Sequence, residues 1–195
     1  MTALVGILIA PRRTLASVVA DERIGPAATA VVLSALVCLE LDIGAAFLEP
    51  ASSRGTTFAV SGAATVLLVG FWLLSAAVID KTARAMGAPS RRRRFLAASG
   101  HSFVVLIVYA AIGLLQAAAL HGLGDNGELV AMLAGYVALG VLGWFVALNC
   151  GAIAAVYELP FISAFALALL PFALLSAAVM VLVVVISGLS AAGAV

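Results

Sequence analysis

Charge is what this chain has least of. Only 10% of its 195 residues are Asp, Glu, Lys or Arg, against roughly 25% in an ordinary soluble domain. Hydrophobic residues make up 65%, and the mean hydropathy is +1.26. So little polar surface cannot cover a water-soluble globule, and a bilayer is the natural solvent. Cysteine is scarce too. Cys38 and Cys150 are the two present, both inside apolar runs, and no CxxC or Cys/His cluster accompanies them. That spacing excludes the usual thiolate metal sites. The pair reads as small apolar packing groups at different depths, which speaks against a disulfide. Catalytic signatures are missing as well: no Ser/His/Asp triad, no HExxH, no GxxxxGK[ST] loop and no aspartate-rich metal motif. The chain reads as a non-enzyme with no cofactor and no metal.

What is present is a series of long apolar runs. A hydrocarbon core of about 30 Å needs roughly 20 such residues per helix. Five stretches qualify, at about 26–47, 57–79, 95–120, 129–156 and 164–187. Only helices satisfy so many backbone groups within one segment, and the alternation of a membrane β-barrel is absent. The expected architecture is all-α: one membrane domain, a bundle of five transmembrane helices. The connections are short and carry breakers, such as Glu49-Pro50, Gly87-Ala88-Pro89 and Gly122-Leu123-Gly124. None could hold a soluble domain. Residues 1–25 form a leading segment in which Pro11 suits a first helical position. Leu15, Val18 and Val19 follow at helical spacing, so a short amphipathic helix in the interface is expected. The apolar stretch before Arg12 and Arg13 is too short for a signal peptide, and its basic pair comes after it.

Lysine and arginine placement sets the orientation. With the N-terminus in the cytoplasm, nine of the ten basic residues fall inside and only Arg54 outside. The C-terminus is then outside. Six of the ten lie between Lys81 and Arg94. Lys81, Arg84, Arg91, Arg92, Arg93 and Arg94 thus form a basic cytoplasmic loop. Such a loop attracts anionic lipid head groups at roughly 1 kcal/mol per residue, or docks a partner. Nucleic acid is not expected, since no aromatics interleave.

Several residues inside the spans are candidates for packing or chemistry. Gly143, Ala147, Gly151 and Ala155 recur every four residues. A stripe of small side chains lets helix backbones approach closely, either within this bundle or against a second chain. Glu40 and Asp42 lie roughly 21 and 24 Å along the first helix from Pro26 at 1.5 Å per residue. Acids at such depth usually face a bundle interior or water. Two residues apart, they point to nearly opposite faces, so they are not a carboxylate pair. They are part of a proton or cation relay, or the helix leaves the hydrocarbon early with Arg54 or His121 as partner. His101 sits in the third span with Ser99 and Ser102 nearby, and reads as a hydrogen-bonded packing residue. Asn149 and Gln116 are suited to interhelical hydrogen bonds.

The order of these features resembles the Yip1 family of five-span membrane proteins, bacterial branch. The opening Ala10-Pro11-Arg12-Arg13-Thr14-Leu15 is similar to the P-x-x-T/F start of bacterial members. Gly25-Pro26 falls where the family's D-L-Y-G-P motif meets the first helix, with Glu22-Arg23-Ile24 in place of Asp-Leu-Tyr. Gly100-His101-Ser102 falls where a Y-G-Y-S motif sits, without its tyrosines. The stretches 79–87 and Ser163-Ala164-Phe165-Ala166 also match family positions. The resemblance implies a cytoplasmic N-terminus and five closely spaced helices. Eukaryotic members are linked to vesicle trafficking and prenylated small GTPases, while some bacterial relatives appear beside multi-component ABC exporters.

Two functional expectations follow. The first is a non-enzymatic scaffold or accessory subunit in the bacterial inner membrane, binding other membrane proteins or itself. The second is a small oligomeric transporter or channel in which Glu40, Asp42, His101 and Asn149 converge on a polar path. An intramembrane enzyme would need His101, Ser102 and an acid to meet.

Overall fold

The computed structural model describes residues 17–18, 22–48 and 51–191. Most of the expected interfacial segment, including Arg12 and Arg13, lies outside these residues. The described chain is helical throughout, without strands. Its helices are α1 (Ile24–Ala46), α2 (Ala51–Ala85), α3 (Arg92–Gly100), α4 (Val104–Gly122), α5 (Gly127–Tyr157) and α6 (Phe161–Ala191). Among the described residues five spans are long and apolar enough to cross a membrane: Ile24–Ala46, Gly55–Ala85, Arg92–Gly122, Gly127–Tyr157 and Phe161–Val181. The third span is α3 and α4 joined through a 3₁₀ turn at His101–Phe103.

Helix α2 runs well past its apolar stretch, carrying Asp80, Lys81 and Arg84 in its last turns. It stops at Gly87, whose φ of 90° is open to glycine without a Cβ penalty. There Ala88 N–H donates to Ala83 O and Gly87 N–H to Arg84 O, each at 3.0 Å. This pair of bonds is a Schellman closure, which satisfies two of the helix's last carbonyls. Helix α1 likewise continues beyond Glu40 and Asp42 to Ala46. Nothing in this Leu- and Ala-rich stretch interrupts the helix, so both acids sit on α1 and not in the connection after it.

The helices close a ring in which α1 packs on α2 and α4, α4 on α5, α5 on α6, and α6 on α2. Helix α3 sits within one end of this ring against α1, α2 and α5. That end carries the arginine run and is the basic end. The fully buried side chains Phe95, Val31, Val105, Ile153 and Val156 make the core there. At Gly100 the α1 and α3 backbones nearly touch. A Cβ added to Gly100 would stand 2.8 Å from both the Cβ and the carbonyl oxygen of Ala27. Toward the other end, the middle of α2 stands off from α4 and α5 and a cavity opens between them.

The close crossing gives a direct test. Gly100→Ala forces backbone against backbone, so the helices must part, at a cost of about 1–3 kcal/mol. Thermal unfolding in detergent should show a lowered midpoint, and an unchanged one would mean that the crossing is loose.

Candidate functional site

Polar side chains gather at three levels of the bundle. At the basic end the centre is Asp80, in the penultimate turn of α2 and only 5% exposed. Its carboxylate accepts from Tyr157 Oη at 3.0 Å, from Ser90 Oγ at 3.0 Å and from the Arg91 backbone N–H at 3.0 Å. Arg84 Nε, one turn on and half exposed, stands 3.5 Å away. Asp80 thereby ties α2, the connecting turn and the end of α5 into one unit. It also supplies negative charge at the N-terminus of α3, the positive end of that helix. Sequence reading passed over Asp80. The available signal was a single acid in the last turns of a span, beside Lys81.

The six basic residues expected to serve lipid or partner binding divide into two sets. Arg91 turns inward, donating to Val156 O at 2.7 Å and to the Glu158 carboxylate. Arg94 pairs with Glu22, and Arg84 with Asp80. These three are occupied in holding the fold. Lys81, Arg92 and Arg93 are exposed. Arg92 and Arg93 also help to line a cleft of about 510 Å³ between Glu22 and residues 89–94. Glu158 takes a left-handed backbone conformation (φ 56°) at the end of α5. The Arg91 hydrogen bond, and then its charge, hold the Glu158 carboxyl below the usual carboxylate range.

In the interior, Trp72 Nε1 donates to Ser99 Oγ at 3.1 Å. Asn149 Nδ2 donates to Ser102 Oγ at 3.1 Å and to Phe145 O, and Ser102 Oγ donates to Ser99 O at 2.6 Å. His101 is buried, with Nδ1 2.9 Å from Ala97 O. Gln116 Nε2 joins α4 to α5 through Ala131 O at 2.9 Å. The Trp72–Ser99, Asn149–Ser102 and Gln116–Ala131 bonds are interhelical bonds of the kind that join spans in a bilayer. No acid joins His101 and Ser102, so the arrangement required of an intramembrane hydrolase is absent among the described residues.

The third level lies toward the far end of α1. Glu40 is exposed on the outside of the bundle. Asp42 faces inward, half-buried, and lines a cavity of about 360 Å³ with Ser61, Thr65, Tyr109 and Gln116. His121, considered as a partner for these acids, instead places Nδ1 2.8 Å from Ala117 O. Below this cavity lies an apolar chamber of about 630 Å³ between α2, α4, α5 and α6. Its floor is four phenylalanines. Phe71 and Phe172 have ring centroids 5.1 Å apart, Phe103 and Phe145 5.3 Å, and Phe145 and Phe172 6.4 Å. Pro171, inside α6, lies beside the floor. Glu40, Asp42, His101 and Asn149 therefore do not converge. Asn149 sits behind the floor with Trp72 and Ser99, Asp42 sits above it, and Glu40 points away.

The small-residue stripe of α5 faces out of the bundle. Gly143, Ala147 and Ala155 are exposed and Gly151 is half-buried. No atom lies within 4 Å of a Cβ placed on Gly143. Packing of this stripe inside the same chain is not what the structure has. The opposite side of α5, with Phe145, Leu148 and Ala152, fills the core.

Asp80→Ala leaves the Tyr157 hydroxyl, Ser90 and the Arg91 N–H without their acceptor, and should cost about 3–5 kcal/mol of stability. Arg84→Gln, at an exposed partner, should cost under about 1 kcal/mol. Equal unfolding midpoints for the two variants would contradict the central place given to Asp80. Glu158 adds a pH dependence. Its folded-state value is depressed, so the Arg91 contact contributes above the unfolded value and is lost as pH falls through the folded one. Melting recorded from about pH 6 to about pH 3 should show an acid-side decline. Glu158→Gln should reduce that decline, and identical profiles would remove the effect.

The family model for the Yip1 domain matches residues 5–187. No curated protein and no solved structure matches. Five apolar spans, short connections and a match over nearly the whole length agree with one another, and the chain belongs to the Yip1 family of membrane proteins.

Proposed function

We propose that this protein is a non-enzymatic membrane scaffold or accessory subunit, resident in a bacterial inner membrane with its N-terminus in the cytoplasm. The observation that carries this reading is the outward direction of the α5 stripe. In lipid no hydrophobic force drives helices together, and association depends on close backbone approach and polar contacts. Gly143, Ala147 and Ala155, with the half-buried Gly151 between them, offer such an approach on a face that the described chain leaves largely open. Glu40 adds to this. A carboxyl on the outside of a span costs at least about 2.5 kcal/mol in lipid, and a donor from a neighbouring chain would offset it. Arg92 and Arg93 supply the cytoplasmic contact, to anionic lipid head groups or to an acidic partner surface. Multi-component exporters of the ABC type are the class of assembly to test first.

The test uses the full chain, purified from its native host in mild detergent or nanodiscs, with the mass of the particle determined. Gly143→Leu with Ala147→Leu should weaken assembly by about tenfold or more, while the melting temperature of the protomer stays close to wild type. Assembly that survives both substitutions would remove the stripe from the interface and, with it, the basis of the proposal.

A further inference from the structure

The cavity near Asp42 and the apolar chamber adjoin. They share Ala64, Leu68, Leu106 and Leu142 in their walls. Both occupy the gap left where α2 stands off from α4 and α5, with glycine at position 70 on the α2 wall. The two parts differ in chemistry. The chamber is walled by Leu, Phe, Ala and Gly. Leu67 and Leu74 on α2 and Leu175 on α6 are each more than half exposed, so the chamber opens sideways where lipid would lie. Its closed end is the phenylalanine floor.

The mouth is polar, and three of its donors are committed to backbone. Cys38 Sγ donates to Leu106 O at 3.4 Å, Thr65 Oγ1 to Ser61 O at 2.9 Å and Gln116 Nε2 to Ala131 O at 2.9 Å. Thr65 and Gln116 keep acceptor lone pairs, the Asp42 carboxylate adds its own, and the Ser61 and Tyr109 hydroxyls complete the polar lining. Asp42 is the one charged side chain in either wall. Ligand sites of about 300–1,000 Å³ with apolar walls and a few placed polar groups are the ordinary form of a small-molecule pocket.

The geometry points to a binding site for a single-chain amphiphile with a cationic amine head, the ammonium at Asp42 and the hydrocarbon chain in the chamber. A head rich in donors matches a mouth rich in acceptors. A positive charge matches the carboxylate, whose ionised form is otherwise costly in lipid. A phosphate or carboxylate head would place like charge against Asp42. A neutral chain would leave the mouth's acceptors without donors. The bound chain reaches the phenylalanine floor, directly behind which Trp72 is anchored to Ser99. This site is separate from the α5 stripe, and its fate does not depend on whether the protein assembles with partners.

Trp72 provides the reporter. Trp144→Phe leaves it as the only tryptophan, in the full chain reconstituted in nanodiscs of neutral lipid. Dodecylamine brominated on its terminal carbon should quench Trp72 saturably. The matching brominated alcohol and brominated fatty acid should need about tenfold higher concentration or more, and Asp42→Asn should erase the preference for the amine. Gly70→Leu fills open space, since nothing lies within 4 Å of a Cβ there. It should abolish quenching by the amine while leaving the melting temperature intact. Equal quenching by all three head groups would mean that the chamber takes any bilayer chain, and would overturn the proposal. So would amine quenching that survives Gly70→Leu, a result that stands even if the Asp42 variant fails to fold.

Discussion

A carboxylate removed from water must be surrounded by donors, and the organisation of this bundle at its basic end follows from that requirement at Asp80. Three bonds of about 3.0 Å reach it from the connecting turn and from α5. Each fixes something else. The bond from Arg91 N–H starts α3 at a set height, that from Ser90 closes the turn after Gly87, and that from Tyr157 draws in the last residue of α5. With α5 held, Arg91 can reach the Val156 carbonyl. With α3 held, Gly100 meets Ala27 at a close backbone crossing. A buried carboxylate satisfied in this way adds little net stability when compared with apolar packing, but leaving it or its donors unpaired is costly. It selects one arrangement of three helices over its neighbours.

Polarity is graded along the bundle. The basic end is tightly packed, and the interior bonds of Trp72, Ser99, Ser102 and Asn149 form a second polar level. The phenylalanine floor then separates that level from an open, apolar chamber. An ion crossing the chain would have to pass both the floor and the chamber, and neither offers a charged or hydrogen-bonding side chain in place of water.

The spans were legible because each is a local matter. A run of apolar residues long enough for the bilayer must close its own backbone bonds, so its helical state needs no information from elsewhere. The stripe of small residues on α5 was legible as a period but not as a direction. Which face of a helix turns inward depends on its neighbours, and Phe145 and Leu148 won the core position by volume. Asp80 was hidden for the opposite reason. Its donors stand 10, 11 and 77 positions away along the chain, a distance no periodicity reports. The arginine run misled in the same way. Four consecutive cations look equivalent, yet a helix start gives each a different direction, and one of them points at the end of α5.

The 3₁₀ turn at His101–Phe103 divides the third span into a head and a shaft. Residues 95–103 are buried without exception, whereas much of α4 beyond them is exposed or half-buried. The head is clamped on every side and the shaft only on two. Stiffness is therefore unequal along a single span. Separating α2 from α4 breaks few contacts, while separating α2 from α3 means breaking into the Asp80 cluster. A molecule entering or leaving between α2 and α4 would meet a compliant wall, and the cytoplasm-facing contacts proposed for the basic end would not register its passage.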